Sequence, residues 1–197
     1  MSYEQTVAPT VNAISDQEAK DHLRVDITDE DTLIGLYVDV AEDYAEQKTN
    51  IQHITATWKL RLDEFPIGSI PIIFERNPVQ SIVDIKYVDI DGVTQTWANN
   101  LYELDSNSRP GRLRPIESET YPSTFDQFDA VTIQFKAGYG DASSSVPDER
   151  KAMLLLMVAY LFDNRNPTHT MQGESLAVAW PDSVERLLAL GSLKNFS

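Results

Sequence analysis

The 197-residue sequence has no cysteine, so neither a disulfide framework nor a thiolate metal site is available to it. Histidine is also rare. The three histidines, His22, His53 and His169, lie far apart in the chain, and none belongs to an H-x-x-x-H or H-E-x-x-H metal-binding pattern. Each is interpreted as an ordinary surface or loop histidine, and no metal ion or other cofactor is predicted.

Basic residues are scarce as well. The chain has 16 Lys and Arg against 31 Asp and Glu, which gives a net charge of -15, and residues 1–50 hold twelve of the acids and only three of the bases. Scattered cations without a basic stripe cannot neutralise the run of phosphates that supplies most nucleic-acid affinity. Specific nucleic-acid binding is therefore not expected. The acidity favours either plain solubility or a surface that lies near DNA without retaining it.

The apolar run at residues 152–162 is too short to cross a membrane. It contains eleven residues, whereas a membrane-spanning helix needs about 20, and charged residues flank it closely. A helix that is apolar on every side must be covered on every side, by the rest of its own fold or by another chain. Because the first residues also lack the pattern of a signal peptide, we expect the chain to be made and assembled in the cytoplasm.

Catalytic patterns are few and incomplete. Residues 173–177, with Ser175 at their centre, lack the second glycine and the preceding apolar strand of a nucleophile elbow. In the acidic segment that begins at residue 26, Asp31 and Tyr37 replace the glycine and the glutamate of a calcium-binding loop. The chain is therefore predicted not to be an enzyme. A small cytosolic hydrolase that uses Ser175 or a pair of carboxylates is kept as an alternative.

Helical periodicity is present at both ends of the chain. Ser15 and Glu18 have the spacing of a capping box, which predicts a short first helix. A second helix, ending near residue 48, shows two apolar rows and an acidic outer face. The first row is Leu33, Tyr37, Val40 and Tyr44, the second is Ile34, Val38, Ala41 and Ala45, and the acidic face is Asp39, Glu42, Asp43 and Glu46. Residues 147–165 predict a long helix, and a last helix begins at Pro181.

Between these helices the apolar period changes to two. Residues 56–62 alternate apolar and polar side chains, as a half-buried antiparallel strand does, and the hairpin signal Asp91-Gly92 follows. The sequence therefore predicts an α+β fold, in which a small bundle of about four helices is interrupted by an antiparallel β-rich insert. This single domain is expected to consist of an N-terminal arm at 1–14, a helical bundle at 15–50 and 145–190, a β insert at 54–137 and a C-terminal tail at 191–197. The arm is expected to be mobile or dependent on a partner.

Several short motifs occur in a characteristic order along the chain. They include E-A-K-D-H-L-R-V-D at 18–26, D-x-L-I at 31–34, A-E-x-Y at 41–44, N-P-V-x-S-I at 77–82, Y-x-D-x-D-G at 87–92, F-x-A-G-Y-G at 135–140 and N-R at 164–165. In order and spacing they resemble the head-tail connector (adaptor) proteins of tailed phages. The resemblance covers about residues 15–190 and departs from the family before Ser15 and at residues 167–179.

This resemblance implies a structural protein of the neck of a virion or phage-like particle, assembled in the bacterial cytoplasm. Such a protein forms a ring beneath the portal, in twelve copies if the portal is twelve-fold, and extends the DNA channel towards the next neck or stopper protein. It implies no catalysis and no membrane. Another neck or tail-completion protein is left open as an alternative. The residues expected in the bundle core or between subunits are Leu33, Tyr37, Val40, Tyr44, Leu154, Leu155, Val158, Leu161 and Phe162.

The C-terminal tail carries an apolar tip. Leu193 and Phe196 flank Lys194 on a segment too short to build a core of its own, so the tail alone is expected to be mobile. The resemblance implies that such a tail reaches the portal, which makes these three residues candidates for portal docking. The alternative that Phe196 folds back on the last helix is left open.

Overall fold

The computed structural model describes residues 1–164 and 180–192 and divides the chain into two compact units. The sheet unit consists of Met1–Thr10 and Ile54–Asp141, and the helical unit of Val11–His53 and Ala142–Ser197. One unit is built of antiparallel strands and the other of helices, so the predicted α+β class is confirmed. In the described ranges, no helix has both the length and the apolar character that crossing a membrane requires.

Four α-helices make up the described part of the helical unit. They are α1 (Asp16–Leu23), α2 (Asp31–Thr49), α3 (Asp148–Asp163) and α4 (Asp182–Gly191), with a 3-10 turn at Ser143–Ser145 before α3. The capping box at the start of α1 is confirmed. Ser15 Oγ accepts a hydrogen bond from the backbone N–H of Glu18 at 3.1 Å, and the Glu18 carboxylate accepts one from the backbone N–H of Ser15 at 2.7 Å.

The described strands form two antiparallel sheets. The strands are β1 (Ser2–Val7), β2 (Ala56–Leu62), β3 (Ile72–Ile73), β4 (Val79–Val88), β5 (Thr94–Thr96), β6 (Tyr102–Asp105), β7 (Arg112–Pro115) and β8 (Val131–Ala137). The larger sheet has the order β1-β2-β8-β4-β5, and the smaller has the order β3-β7-β6. Both contribute to one core, in which the Phe74 and Phe135 rings lie 4.7 Å apart and Leu60, Ile133 and Leu113 are fully buried.

The first residues differ from the expected mobile arm. Ser2–Val7 forms β1 at the edge of the larger sheet, antiparallel to β2, with Tyr3 opposite Leu60 and Gln5 opposite Trp58. The β1 strand has no apolar alternation because most of its side chains are exposed. Tyr3 is the exception. It packs edge-on against Phe135 at 6.4 Å between ring centroids, and burial raises its pKa to about 12. The segment expected to be an arm that is mobile or dependent on a partner therefore contains an edge strand of the larger sheet.

Candidate functional site

Helix α3 presents an apolar stripe that the described structure does not bury. Met153, Leu154, Met157 and Val158 are buried, and they face the interior of the helical unit. The stripe comprises Ala152, Leu155, Leu156 and Ala159, at the i, i+3, i+4, i+7 spacing of a single helix face, and Leu156 is 39% exposed. The helix predicted to be covered on every side therefore has one face left for another surface to cover.

Helix α2 has a second stripe of this kind. The residues that pack inward are Ile34, Val38, Ala41 and Ala45, all fully buried, which is the second of the two apolar rows found in the sequence. On another face, Leu33, Leu36, Tyr37 and Val40 also follow i, i+3, i+4, i+7 spacing. Leu36 is 54% exposed and Val40 is 42% exposed. We call these four residues the α2 stripe. The corresponding four residues of α3 are called the α3 stripe.

The nine predicted core or inter-subunit residues are distributed as follows. Leu154 and Val158 lie in the core, Val40 is exposed, and the other six, Leu33, Tyr37, Tyr44, Leu155, Leu161 and Phe162, are half-buried. Tyr44 packs on Trp180, with the ring centroids 5.2 Å apart, so it is covered from within the helical unit. The candidate portal-docking residues Leu193, Lys194 and Phe196 lie outside the described residues, as do His169 and Ser175.

A buried polar cluster lies where the sequence predicted a solvent-facing surface. Glu42 was placed on the acidic outer face of α2 together with Glu46, and His53 was taken as a surface or loop residue. In the structure His53 is fully buried, Glu42 is buried, and Glu46 is half-buried beside them. His53 does lie in a loop, but placing it at the surface, and Glu42 and Glu46 on an outer face, was wrong. The reason is that the chain after α2 returns over the helix and covers this part of its acidic face.

Each carboxylate of the cluster is held by N–H donors. The backbone N–H of Ala13 donates to both oxygens of Glu42, at 2.9 and 3.2 Å. The Gln52 side-chain amide donates to both oxygens of Glu46, at 2.8 and 3.0 Å, and the backbone N–H of His53 donates to Glu46 Oε1 at 2.8 Å. Burial raises the pKa of Glu42 to about 7, although the Ala13 N–H opposes that rise.

The His53 ring completes the cluster without a hydrogen bond. Nδ1 lies 3.5 Å from Glu46 Oε1 and 3.8 Å from Glu42 Oε1, and neither ring nitrogen has a hydrogen-bond partner in the structure as described. The two glutamates are one helical turn apart, so their proximity was readable from the sequence. His53 was missed because nothing local indicates that a residue just beyond a helix turns back onto it.

One described surface groove of the sheet unit contains no comparable cluster. That groove is lined by Glu103 and Asp105 of β6 and by Arg112 and Arg114 of β7. These residues pair across the two strands, with Arg112 Nη2 lying 3.0 Å from Asp105 Oδ2 and Arg114 Nε lying 2.5 Å from Glu103 Oε1. Such exposed pairs contribute little to stability and are ordinary features of a sheet surface.

Comparison with known proteins addresses the predicted resemblance directly. Residues 16–102, a little under half of the chain, match the family of phage gp6-like head-tail connector proteins. The resemblance to head-tail connectors is confirmed. This connector match includes α1, α2 and strands β2 to β5, and it leaves out β1. Among curated proteins, none matches the sequence significantly.

Three solved particle structures share the fold of this connector-like chain. One is the neck of an empty gene transfer agent particle computed with C6 symmetry, with 19% identity and a TM-score of 0.75. The others are the virion of a native gene transfer agent particle, with 22% identity, and the neck of a native particle computed with C12 symmetry, with 20% identity, both at a TM-score of 0.77. Each comparison covers 100% of this chain and 98% of the other chain.

Proposed function

We propose that this chain is a structural head-tail connector, or adaptor, of a tailed phage or phage-like particle. It forms a ring between the portal and the next neck or stopper protein, extends the DNA channel and performs no catalysis. The observation that carries the proposal is the match of residues 16–102 to the connector family. The likeness in fold to chains of gene transfer agent particles over the whole length supports it.

The α2 and α3 stripes are the surfaces that we assign to ring closure. A cyclic ring needs a head-to-tail interface, in which one face of a subunit meets a different face of its neighbour. Contiguous exposed apolar side chains of this kind are typical of protein interfaces. Leu36 and Val40 on one helix and Leu156 on the other are the exposed apolar anchors. The occupant of both stripes is a second copy of this chain, as the twelve-fold symmetry of a similar neck favours.

The charge of the chain suits a channel through which DNA passes. With a net charge of -15, the protein lacks the cations whose phosphate contacts would release counterions and retain DNA. The contact with the passing duplex is then weak or repulsive, so the DNA slides. The ring lies in the particle neck, in twelve copies if the portal has twelve subunits, and is assembled in the bacterial cytoplasm.

Electron microscopy of the purified chain, alone and mixed with its portal, tests this function. We expect a closed ring seated on the portal, with light scattering showing whether the free chain is a monomer or already a ring. A chain that stays monomeric beside a competent portal, and that instead binds a tail component, would favour the tail-completion alternative.

The C-terminal tail provides a second test of the same function. Deleting residues 193–197 leaves α4 and its C-cap at Ser192 intact, so the melting temperature should stay nearly unchanged. If Leu193 and Phe196 dock on the portal, the shortened chain should co-sediment with portal rings much less than the full chain does. Wild-type occupancy after the deletion would place the portal contact on the helical unit instead.

A further inference from the structure

The cluster of Glu42, Glu46 and His53 has a geometry that hydrogen bonding does not explain. We propose that these three side chains bind one divalent transition-metal cation, and that Zn²⁺ is the ion whose preferences the donor set fits best. The proposal is independent of the connector function, because it rests on contacts inside the helical unit. It makes the cluster a structural site that ties α2 to the chain leaving the unit.

The spacing of the donor atoms is the first argument. His53 Nδ1 lies 3.5 Å from Glu46 Oε1 and 3.8 Å from Glu42 Oε1, and one donor atom from each residue lies within 4.8 Å of the others. An N–H···O hydrogen bond is about 2.7–3.2 Å long, so both distances are too long for one. Two ligand atoms that each lie about 2.1 Å from a tetrahedral ion are about 3.4 Å apart. The two separations from His53 Nδ1 are close to that value.

The burial of His53 is the second argument. Its side chain is 0% exposed, and both ring nitrogens are without a hydrogen-bond partner in the structure as described. A buried polar group that makes no hydrogen bond is destabilising, and such groups are rare in native proteins. Coordination through Nδ1 satisfies the nitrogen that faces the two carboxylates.

Charge balance is the third argument. The carboxylates of Glu42 and Glu46 both lie beside the buried His53 ring, in a part of the helical unit where solvent reaches them little. Buried charges are normally paired or coordinate a metal ion. A dication makes the cluster neutral. The neighbouring acids Asp39 and Asp43 on α2 are exposed, so solvent screens them.

The surrounding hydrogen bonds orient both carboxylates as metal ligands. The backbone N–H groups of Ala13 and His53 and the Gln52 amide each donate to Glu42 or Glu46, which fixes the directions of the carboxylate oxygens. Each carboxylate offers about four lone-pair sites, so these contacts leave capacity for a metal. Partners of this kind orient the ligands of known metal sites.

The donor set selects among cations. Imidazole nitrogen suits Zn²⁺ and other transition metals, whereas Mg²⁺ and Ca²⁺ prefer oxygen donors throughout. Three protein ligands leave one tetrahedral position for water or for a second carboxylate oxygen. Because the Glu42 and Glu46 side chains retain 10% and 14% exposure, the site is not sealed from solvent.

Metal analysis of the full-length chain tests the proposal. The protein is stripped with EDTA, dialysed against Zn²⁺ alone, passed through a desalting column and analysed by plasma mass spectrometry. We expect one retained Zn²⁺ per chain, a rise in melting temperature on adding Zn²⁺, and no retention of Mg²⁺ at the same concentration. A wild-type protein that retains no stoichiometric Zn²⁺ would overturn the proposal and leave a proton shared by the cluster as its explanation.

Matched variants locate the ion. His53→Gln and Glu46→Gln should each weaken Zn²⁺ binding by more than the roughly 10–100-fold that loss of an outer-shell partner costs. His22→Gln and Glu117→Gln make the same chemical changes at exposed positions and should leave binding unchanged. Equal retention in the cluster variants and the controls would show that the ion lies elsewhere.

A measurement on the wild-type chain covers the case in which the cluster variants do not fold. The histidine side-chain NMR spectrum of the stripped protein is recorded while Zn²⁺ is added. Stoichiometric Zn²⁺ should shift the ring resonances of His53 and leave those of His22 in place. Unshifted His53 resonances at saturating Zn²⁺ would contradict the proposed coordination.

Discussion

Replacing Leu156 with glutamate should abolish ring assembly and leave the subunit folded. Leu156 is 39% exposed in the described structure, so the folded chain keeps the new carboxylate in water, and surface substitutions of this kind change stability by about 0.5 kcal/mol or less. In a ring, the α3 stripe would bury that charge without a partner at every interface, at a cost of about 2–5 kcal/mol. Since about 1.4 kcal/mol corresponds to a tenfold change, affinity should fall by about 30-fold or more at each contact.

Ring assembly is scored by mass photometry and negative-stain microscopy in the presence of portal. Val40→Glu in the α2 stripe should have the same effect, because both stripes are assigned to the interface. Ile27→Glu is the control, since Ile27 is 58% exposed and lies on neither helix. If Leu156→Glu rings form as readily as Ile27→Glu rings, the α3 stripe is not a subunit interface.

Replacing Gly138 with alanine should cost the sheet unit much of its stability. Gly138 follows β8 with φ +137, and an added Cβ would lie 2.6 Å from the Thr55 backbone nitrogen and 2.7 Å from the Ile54 carbonyl carbon. The Thr55 backbone cannot easily move, because its N–H donates to the Gly140 carbonyl at 2.9 Å. Overpacking of about 1–3 kcal/mol adds to backbone strain of about 1–3 kcal/mol, because φ +137 lies outside the left-handed helical range. We expect a loss of about 2–6 kcal/mol.

Gly92→Ala is the control, because it adds backbone strain without the overpacking expected at Gly138. Gly92 has φ +78 in the turn between β4 and β5, and an added Cβ there meets no atom within 4 Å. That variant should therefore lose only the strain of about 1–2 kcal/mol. Urea denaturation followed by circular dichroism measures both variants. Equal losses would mean that the close approach of the chain at Gly138 relaxes without cost.

The features that the sequence predicted correctly are those with a local physical cause. The Ser15–Glu18 capping box needs only two side chains three residues apart, and the structure contains both of its hydrogen bonds. In β2, Ala56, Trp58 and Leu60 are buried as the alternation predicted, since one face of a strand meets the core. Thr57 on the other face is buried as well, and Leu62 is only half-buried. A period of two or 3.6 follows directly from backbone geometry, so such elements are readable without a tertiary structure.

The missed strand β1 has no such local cause. Its side chains are mostly exposed, and what holds it in place is the hydrogen-bonding edge of β2, about 50 residues further along the chain. An edge strand with one exposed face and little burial has no apolar pattern to read. The sequence of β1 alone therefore could not distinguish an edge strand from an arm that is mobile or dependent on a partner.

Helix α2 shows the same limit within one element. Either of its two apolar rows could have formed the face that packs into the core. In the folded chain the buried row is Ile34, Val38, Ala41 and Ala45. The other row was left half-buried or exposed. Which face of α2 is buried depends on where α1, α3 and α4 pack against it. That arrangement belongs to the whole bundle, so neither helix propensity nor the apolar period of α2 predicts it.

The sequence by itself determined the classes of element, the absence of cysteine chemistry, the acidic character and the resemblance to connectors, because each depends on composition or on residues close together in the chain. Tertiary structure alone decided which apolar faces stay uncovered and that His53 lies buried against Glu42 and Glu46. The physical reason is that burial is a relation between segments. A side chain becomes core, interface or ligand only when a distant part of the chain packs against it.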